Sequence, residues 1–274
     1  MNGAGNKILV LDLRGGAPLP TRAEARAIHR AAGLDYDQLM ALSDPRAAGT
    51  LAYVSIFNND GSLAGACGNG TRCVADFFAR ETGRDSFAVE TQAGVIFCER
   101  LGEASYRVDM GPPRLGWNEI PLAHEVASID AVEVKLEGGS DLGLASVVNM
   151  GNPHIVFFVA DVATTPVESF GPRCEIHPLF PQKTNVSFAQ ILSRDHIRLR
   201  AWERGVGITL ACGSAACATL VGASRRGFVE RSARIDLPGG QLFIEWRERD
   251  GRVLMSGPIE FERSVKLTAE MFVP

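Results

Sequence analysis

The feature that most constrains this chain is that it runs through one plan twice. With Cys67 and Cys212 taken as origins, the two halves come into register. Asn6, in G-N-K-I-L-V-L, precedes the first cysteine by almost the same stretch as Asn152, in G-N-P-H-I-V-F-F, precedes the second, and each Gly-Asn opens an apolar strand. Asn58 and Glu203 stand at one shared offset before their cysteines, at the ends of the strand-like runs LAYVSIF and HIRLRAW. After each cysteine comes a helical pattern of about four turns, GNGTRCVADFFARETG and GSAACATLVGASRRG, closed by Gly83 and Gly227. Hairpin signals follow at Ala93-Gly94 and Gly239-Gly240, and both halves end on Gly-Pro, at Gly111-Pro112 and Gly257-Pro258.

This pattern predicts an α/β chain of two homologous domains, each a twisted sheet around one central helix, meeting face to face. The first is expected over residues 1–112 and the second over 113–257, with the boundary in the PPRLG stretch. The tail 258–274 is expected to pack back on the first domain, although its strand-like FERSVKL cannot be placed by pattern alone. The GAGN loop comes so early that it leaves no room for a strand ahead of it, and a true start a few residues upstream is expected.

With 274 residues, 46% of them apolar and 22% charged, the chain can bury an ample core without staples. The net charge is −4 and no Lys/Arg stripe is present, which argues against nucleic acid as a partner. No apolar run approaches bilayer length and no secretory leader pattern opens the chain, so a cytoplasmic protein with no membrane partner is expected. Six cysteines, at 67, 73, 98, 174, 212 and 217, are too few for a disulfide scaffold. The 67/73 and 212/217 spacings lack the knuckle of structural zinc, so no metal is expected.

Thiol chemistry or plain burial remains. Each of Cys67 and Cys212 is followed by Gly and a small polar residue before helical periodicity begins, which puts it at a helix N-terminus. The positive end of the helix dipole there favours a thiolate and should pull the thiol below its usual pKa of about 8.5. Backbone N–H groups at Gly68-Asn69 and Gly213-Ser214 can hold a carboxylate. A thiolate and a thiol facing one carbon from opposite sides would invert it, one removing a proton and the other delivering one. Either cysteine alone reads equally well as a small core residue. The core reading is preferred for Cys73, Cys98 and Cys217.

The segments FNNDGSLAGACGNGTRC and WERGVGITLACGSAA resemble the two signature motifs of the diaminopimelate epimerase family. GAGN, YDQL at 36–39, NMGNPH at 149–154 and KTNVSF at 183–188 are similar to its remaining site segments, in the same order. The resemblance implies two pseudo-symmetric domains of mixed, mostly antiparallel sheet, and a homodimer. It also implies an isomerase that interconverts LL- and meso-diaminopimelate without a cofactor, for lysine and peptidoglycan precursors. On this resemblance Cys67 and Cys212 are the catalytic pair, the face served by each being open. His154 and Glu203 match positions that tune the thiols. Asn6, Gln38, Asn58, Asn152, Asn185, Glu203 and Arg204 match substrate contacts, with Gly68, Asn69, Gly213 and Ser214 holding the reacting carboxylate.

The chain departs from the family pattern at Lys7, Ile208 and Ser214, in ACGSAA. Asn69 stands where proline racemase-like enzymes of the same fold carry a histidine, which argues against a cyclic imino acid. Another racemase or epimerase of that fold, and a non-catalytic module for small carboxylates, are the alternatives.

Overall fold

A computed structural model describes residues 1–31, 33–136 and 142–273. Its chain divides into two compact units, Met1–Asp109 with Ser256–Pro274, and Met110–Met255. Pro274, the end of the tail, lies outside the described residues.

In the first unit the strands are β1 (Asn2–Gly3), β2 (Asn6–Asp12), β3 (Gln38–Ser43), β4 (Thr50–Asn58), β5 (Leu63–Ala64), β6 (Ser86–Thr91), β7 (Gly94–Gly102) and β8 (Ser105–Asp109). The ladders β2–β3 and β4–β6 are parallel; β1–β2, β3–β4, β4–β5, β6–β7 and β7–β8 are antiparallel. Helix α1 (Arg22–Arg30) crosses between β2 and β3, and α2 (Gly68–Thr82) between β5 and β6. Nearly the whole of α2 is buried, against β1, β2, β3, β7 and β8, as its run of small and apolar residues requires. It ends at Gly83, whose φ of 68° is the left-handed conformation a helix stop favours.

The second unit repeats this plan. Its strands are β9 (Val132–Glu133), β10 (Leu144–Asn149), β11 (Pro153–Phe158), β12 (Asn185–Ser193), β13 (His196–Glu203), β14 (Gly207–Thr209), β15 (Ser232–Leu237) and β16 (Gly240–Trp246), with β17 (Val253–Pro258) running across the division. Ladders β11–β12 and β13–β15 are parallel, and β10–β11, β12–β13, β13–β14 and β15–β16 antiparallel, matching the first-unit ladders other than β7–β8; β9–β10 is a further antiparallel pair. Helix α3 (Val167–Glu175) takes the place of α1, and α4 (Gly213–Arg225) that of α2.

Registers fix which positions correspond. Ile8 pairs with Gln38 and Gln38 with Asn58; His154 pairs with Asn185, and Val186 with Trp202, which sets Asn185 opposite Glu203. Asn6, Ile8, Gln38 and Asn58 therefore correspond to Asn152, His154, Asn185 and Glu203.

Three expectations are corrected. A strand does precede the GAGN loop: two residues, Asn2 and Gly3, suffice to pair with Lys7 and Asn6. Both hairpin turns fall one residue earlier than expected, at Gln92-Ala93 and Pro238-Gly239, because Gly94 and Gly240 already pair as the first residues of their strands. FERSVKL forms no strand; among the described residues after Pro258 the tail makes an isolated bridge, Glu260 to Asn2, and no named strand. Leu267, Met271 and Phe272 pack instead on the Leu13, Ala25 and Ile28 cluster. Among the described residues no helix is long and apolar enough to cross a membrane.

Candidate active site

Cys67 caps α2 in extended conformation (φ −149°, ψ 98°), and its sulfur accepts the Gly70 N–H at 3.2 Å. On its other side the thiol donates toward Gln38 Oε1 at 3.7 Å. Gln38 Nε2 reaches Asn58 Oδ1 at 3.5 Å across the β3–β4 ladder, and Asn58 Nδ2 donates to Ser62 Oγ at 3.0 Å. The first thiol thus meets neutral amides. Two acceptors of this unit, Asn6 Oδ1 and Asn69 Oδ1, are buried with no donor, an arrangement that costs about 1–3 kcal/mol each.

Cys212 caps α4 in the same conformation (φ −131°, ψ 109°), but its surroundings differ. It is buried, its sulfur lies 3.6 Å from Ser214 Oγ, and the Glu203 carboxylate is near enough to act on it electrostatically. The expectation of a lowered pKa is overturned here. Burial, and next the negative charge of Glu203, push this thiol well above its ordinary value, against the smaller pull of Ser214 and the Ala215 N–H. Desolvating a thiolate outweighs the helix start.

The other residues of this half form one chain of contacts. His154 Nε2 bonds Asn152 Oδ1 at 2.9 Å, and Asn152 Nδ2 donates to Ser214 Oγ at 3.4 Å. Burial, then the charge of Arg204, lower the His154 pKa to about 3. The ring is neutral and carries no charge of its own; its contacts run through Asn152 to Ser214, which neighbours Cys212. Asn185 uses both ends, donating to the Pro153 carbonyl at 2.9 Å and accepting the Arg204 N–H at 3.0 Å. Arg204 itself is exposed and donates to the Gln182 carbonyl at 3.0 Å. By helix geometry the first N–H groups, at Gly68 and Asn69 and at Gly213 and Ser214, have no intrahelical acceptor.

Of the departures, Lys7 pairs with Asp35 at the surface and Ile208 is exposed on β14. Sequence reasoning missed Thr209, whose hydroxyl donates to Glu203 Oε1 at 2.6 Å. It also missed Glu175, a buried carboxylate that accepts Trp202 Nε1 at 2.7 Å and the Gly205 N–H at 3.1 Å, holding the Glu203-Arg204 corner. A hydroxyl in G-I-T was the only signal for the first, and nothing in the pattern marked the second. Cys73, Cys98 and Cys174 are buried, which pushes each thiol up to about 12, and Cys217 is buried as well. Among the described residues no group of three or more His, Cys, Asp or Glu could hold a metal ion.

A family model described as diaminopimelate epimerase matches residues 1–116 and 146–262. A diaminopimelate epimerase of Methylocella silvestris is 50% identical, over 99% of this chain and 94% of the relative. One of Rhodopseudomonas palustris is 52% identical, over 96% of this chain and 91% of the relative. Among solved structures, a hydroxyproline epimerase from Agrobacterium vitis matches with a TM-score of 0.66 at 16% identity, over 94% of this chain and 86% of that one. A phenazine biosynthesis PhzF-family protein of Enterococcus faecalis matches with a TM-score of 0.60 at 16% identity, over 92% and 87%. These last two likenesses show the fold alone.

Proposed function

The chain belongs to the diaminopimelate epimerase family of isomerases, and from that premise we propose that it interconverts LL- and meso-diaminopimelate with Cys67 and Cys212 as the two acid/base groups. The observation that carries this reading is that each cysteine caps the central helix of its own repeat, at corresponding positions of a duplicated plan.

One thiolate takes the α-proton and becomes a thiol, while the other thiol gives its proton to the opposite face and becomes a thiolate. Charge balances without a co-reactant, and the roles exchange with direction. The transient negative charge spreads onto the substrate carboxylate, where the N–H groups of Gly68, Asn69, Gly213 and Ser214 stabilise it. Burial and the Glu203 carboxylate favour the protonated form of Cys212 before substrate arrives.

The unmatched oxygens of Asn6 and Asn69 accept from the substrate ammonium. Gln38, Asn58 and Asn152 read the remaining polar groups, Arg204 clasps a carboxylate, and Asn185 holds Arg204 in place. The enzyme works in the cytoplasm as a homodimer, without cofactor, nucleic acid or membrane partner.

Purified protein incubated with LL-diaminopimelate alone, with the stereoisomers then resolved, tests the activity. Meso product is expected. No product, or turnover of a cyclic imino acid instead, would sink it. Light scattering reads the dimer.

A further inference from the structure

We propose that Thr209 is a positioning residue, its hydroxyl pinning the Glu203 carboxylate in the orientation that faces the Cys212 sulfur. The proposal rests on the reading of Cys212 as an acid/base group.

Three features of the ladder carry it. Glu203 pairs with Gly207 across β13–β14, and Ala201 with Thr209, so Thr209 lies on the face of Glu203, one diagonal step away. On the β14 side the residue opposite Glu203 is thus a glycine, which has no side chain to limit the swing of the carboxylate there. The Thr209 Oγ1 to Glu203 Oε1 contact is 2.6 Å, the length of a charge-assisted O–H···O⁻ bond, from a β-branched residue with a stiff χ1.

The duplicated half supplies the control. The position corresponding to Thr209 is Ala64, and the one corresponding to Glu203 is Asn58, whose amide is held by Ser62 from the turn. The hydroxyl on the strand therefore accompanies the carboxylate: it is present in the half that has a Glu to hold and absent in the half that does not. One oxygen of Glu203 is taken by Thr209, which orients that end of the carboxylate. Without this contact the carboxylate is oriented less firmly toward Cys212, and its hold on the thiol proton weakens.

The test follows iodoacetamide labelling of Cys212 across pH 6 to 10 by peptide mass analysis, in the full-length protein and its Thr209→Val, Thr209→Ser and Glu203→Gln variants. Thr209→Val should shift the labelling profile toward acid and raise the rate at pH 8 about three- to tenfold, with kcat reduced and KM little changed. Thr209→Ser should restore the parent profile. In a Glu203→Gln background, Thr209→Val should add nothing. A Thr209→Val profile superimposed on the parent's overturns the proposal, as does an equal shift in Thr209→Ser. The labelling readout needs no substrate, so it stands even if the protein epimerises a different amino acid.

Discussion

Gly70 lies so close to Met40 that a Cβ on it would sit 2.4 Å from the Met40 sulfur and 2.9 Å from its Cε, with the Cys67 sulfur at 3.2 Å. Met40 is fully buried, so its thioether end must shift within the packed interior to make room. The second half solves the same packing with the sizes exchanged: Ser187 stands two residues past Asn185, as Met40 does past Gln38, and Ala215 follows Cys212 as Gly70 follows Cys67. Gly70→Ala should therefore cost about 1–3 kcal/mol by overpacking and lower kcat about tenfold or more by displacing the Cys67 sulfur. Met40→Ala with Gly70→Ala should recover part of the lost kcat, by giving the added methyl room beside the Cys67 sulfur. Urea unfolding and initial rates check this, and a Gly70→Ala enzyme as stable and fast as the parent would show that the helix start tolerates a side chain.

The two thiols should be separately indispensable. Cys67→Ala and Cys212→Ala should each lower epimerisation by about 10²–10⁴-fold, the worth of a positioned acid or base. Each variant keeps one thiol, so exchange of the substrate α-hydrogen with heavy water can survive where inversion does not. Stereoisomer analysis beside deuterium uptake reads both. Near-normal inversion in either variant would end the two-base assignment.

The repeat was legible because strand ends, tight turns and helix starts depend on backbone geometry, which leaves Gly, Asn and the cysteines at fixed offsets. Cys67 and Cys212 could be placed as helix caps for that reason. Helix α1 was legible in principle, through the reciprocal Thr21–Glu24 capping box, but no repeat landmark pointed to it. Helix α3 was hidden by its internal Pro172. Titration was not legible at all: a helix start is local, whereas the desolvation that raises Cys212 comes from residues brought round it by folding. The part played by Asn185 was obscured likewise, since its two partners, Pro153 and Arg204, are remote in sequence.

Asn185 is where binding and stability should separate. Asn185→Ala leaves the Pro153 carbonyl and the Arg204 N–H without their partner, costing about 1–3 kcal/mol. It also frees the corner that carries the Arg204 guanidinium. KM should rise about tenfold with a smaller change in kcat, the mark of lost uniform binding. Steady-state kinetics decide it. An unchanged KM in a measurably destabilised protein would mean that Arg204 takes no part in holding substrate.

His154 should leave its signature in acid stability. Its pKa falls from 6.5 to about 3 in the folded chain, first through burial and then through the charge of Arg204. Below pH 6.5 the unfolded chain binds a proton on this ring that the native protein refuses, so acidification favours unfolding. The stability owed to a neutral ring is fully present above pH 6.5 and is lost toward pH 3, by up to about 1.4 kcal/mol per pH unit. His154→Gln retains an N–H for Asn152 Oδ1 and cannot titrate. Its urea midpoint should fall less steeply between pH 7 and pH 4 than the parent's, while its rate profile keeps the same shape, because a ring that is neutral throughout the working range contributes no inflection there. Parallel midpoint curves, or an inflection near pH 6.5 that His154→Gln removes, would mean that the ring is charged in the working enzyme.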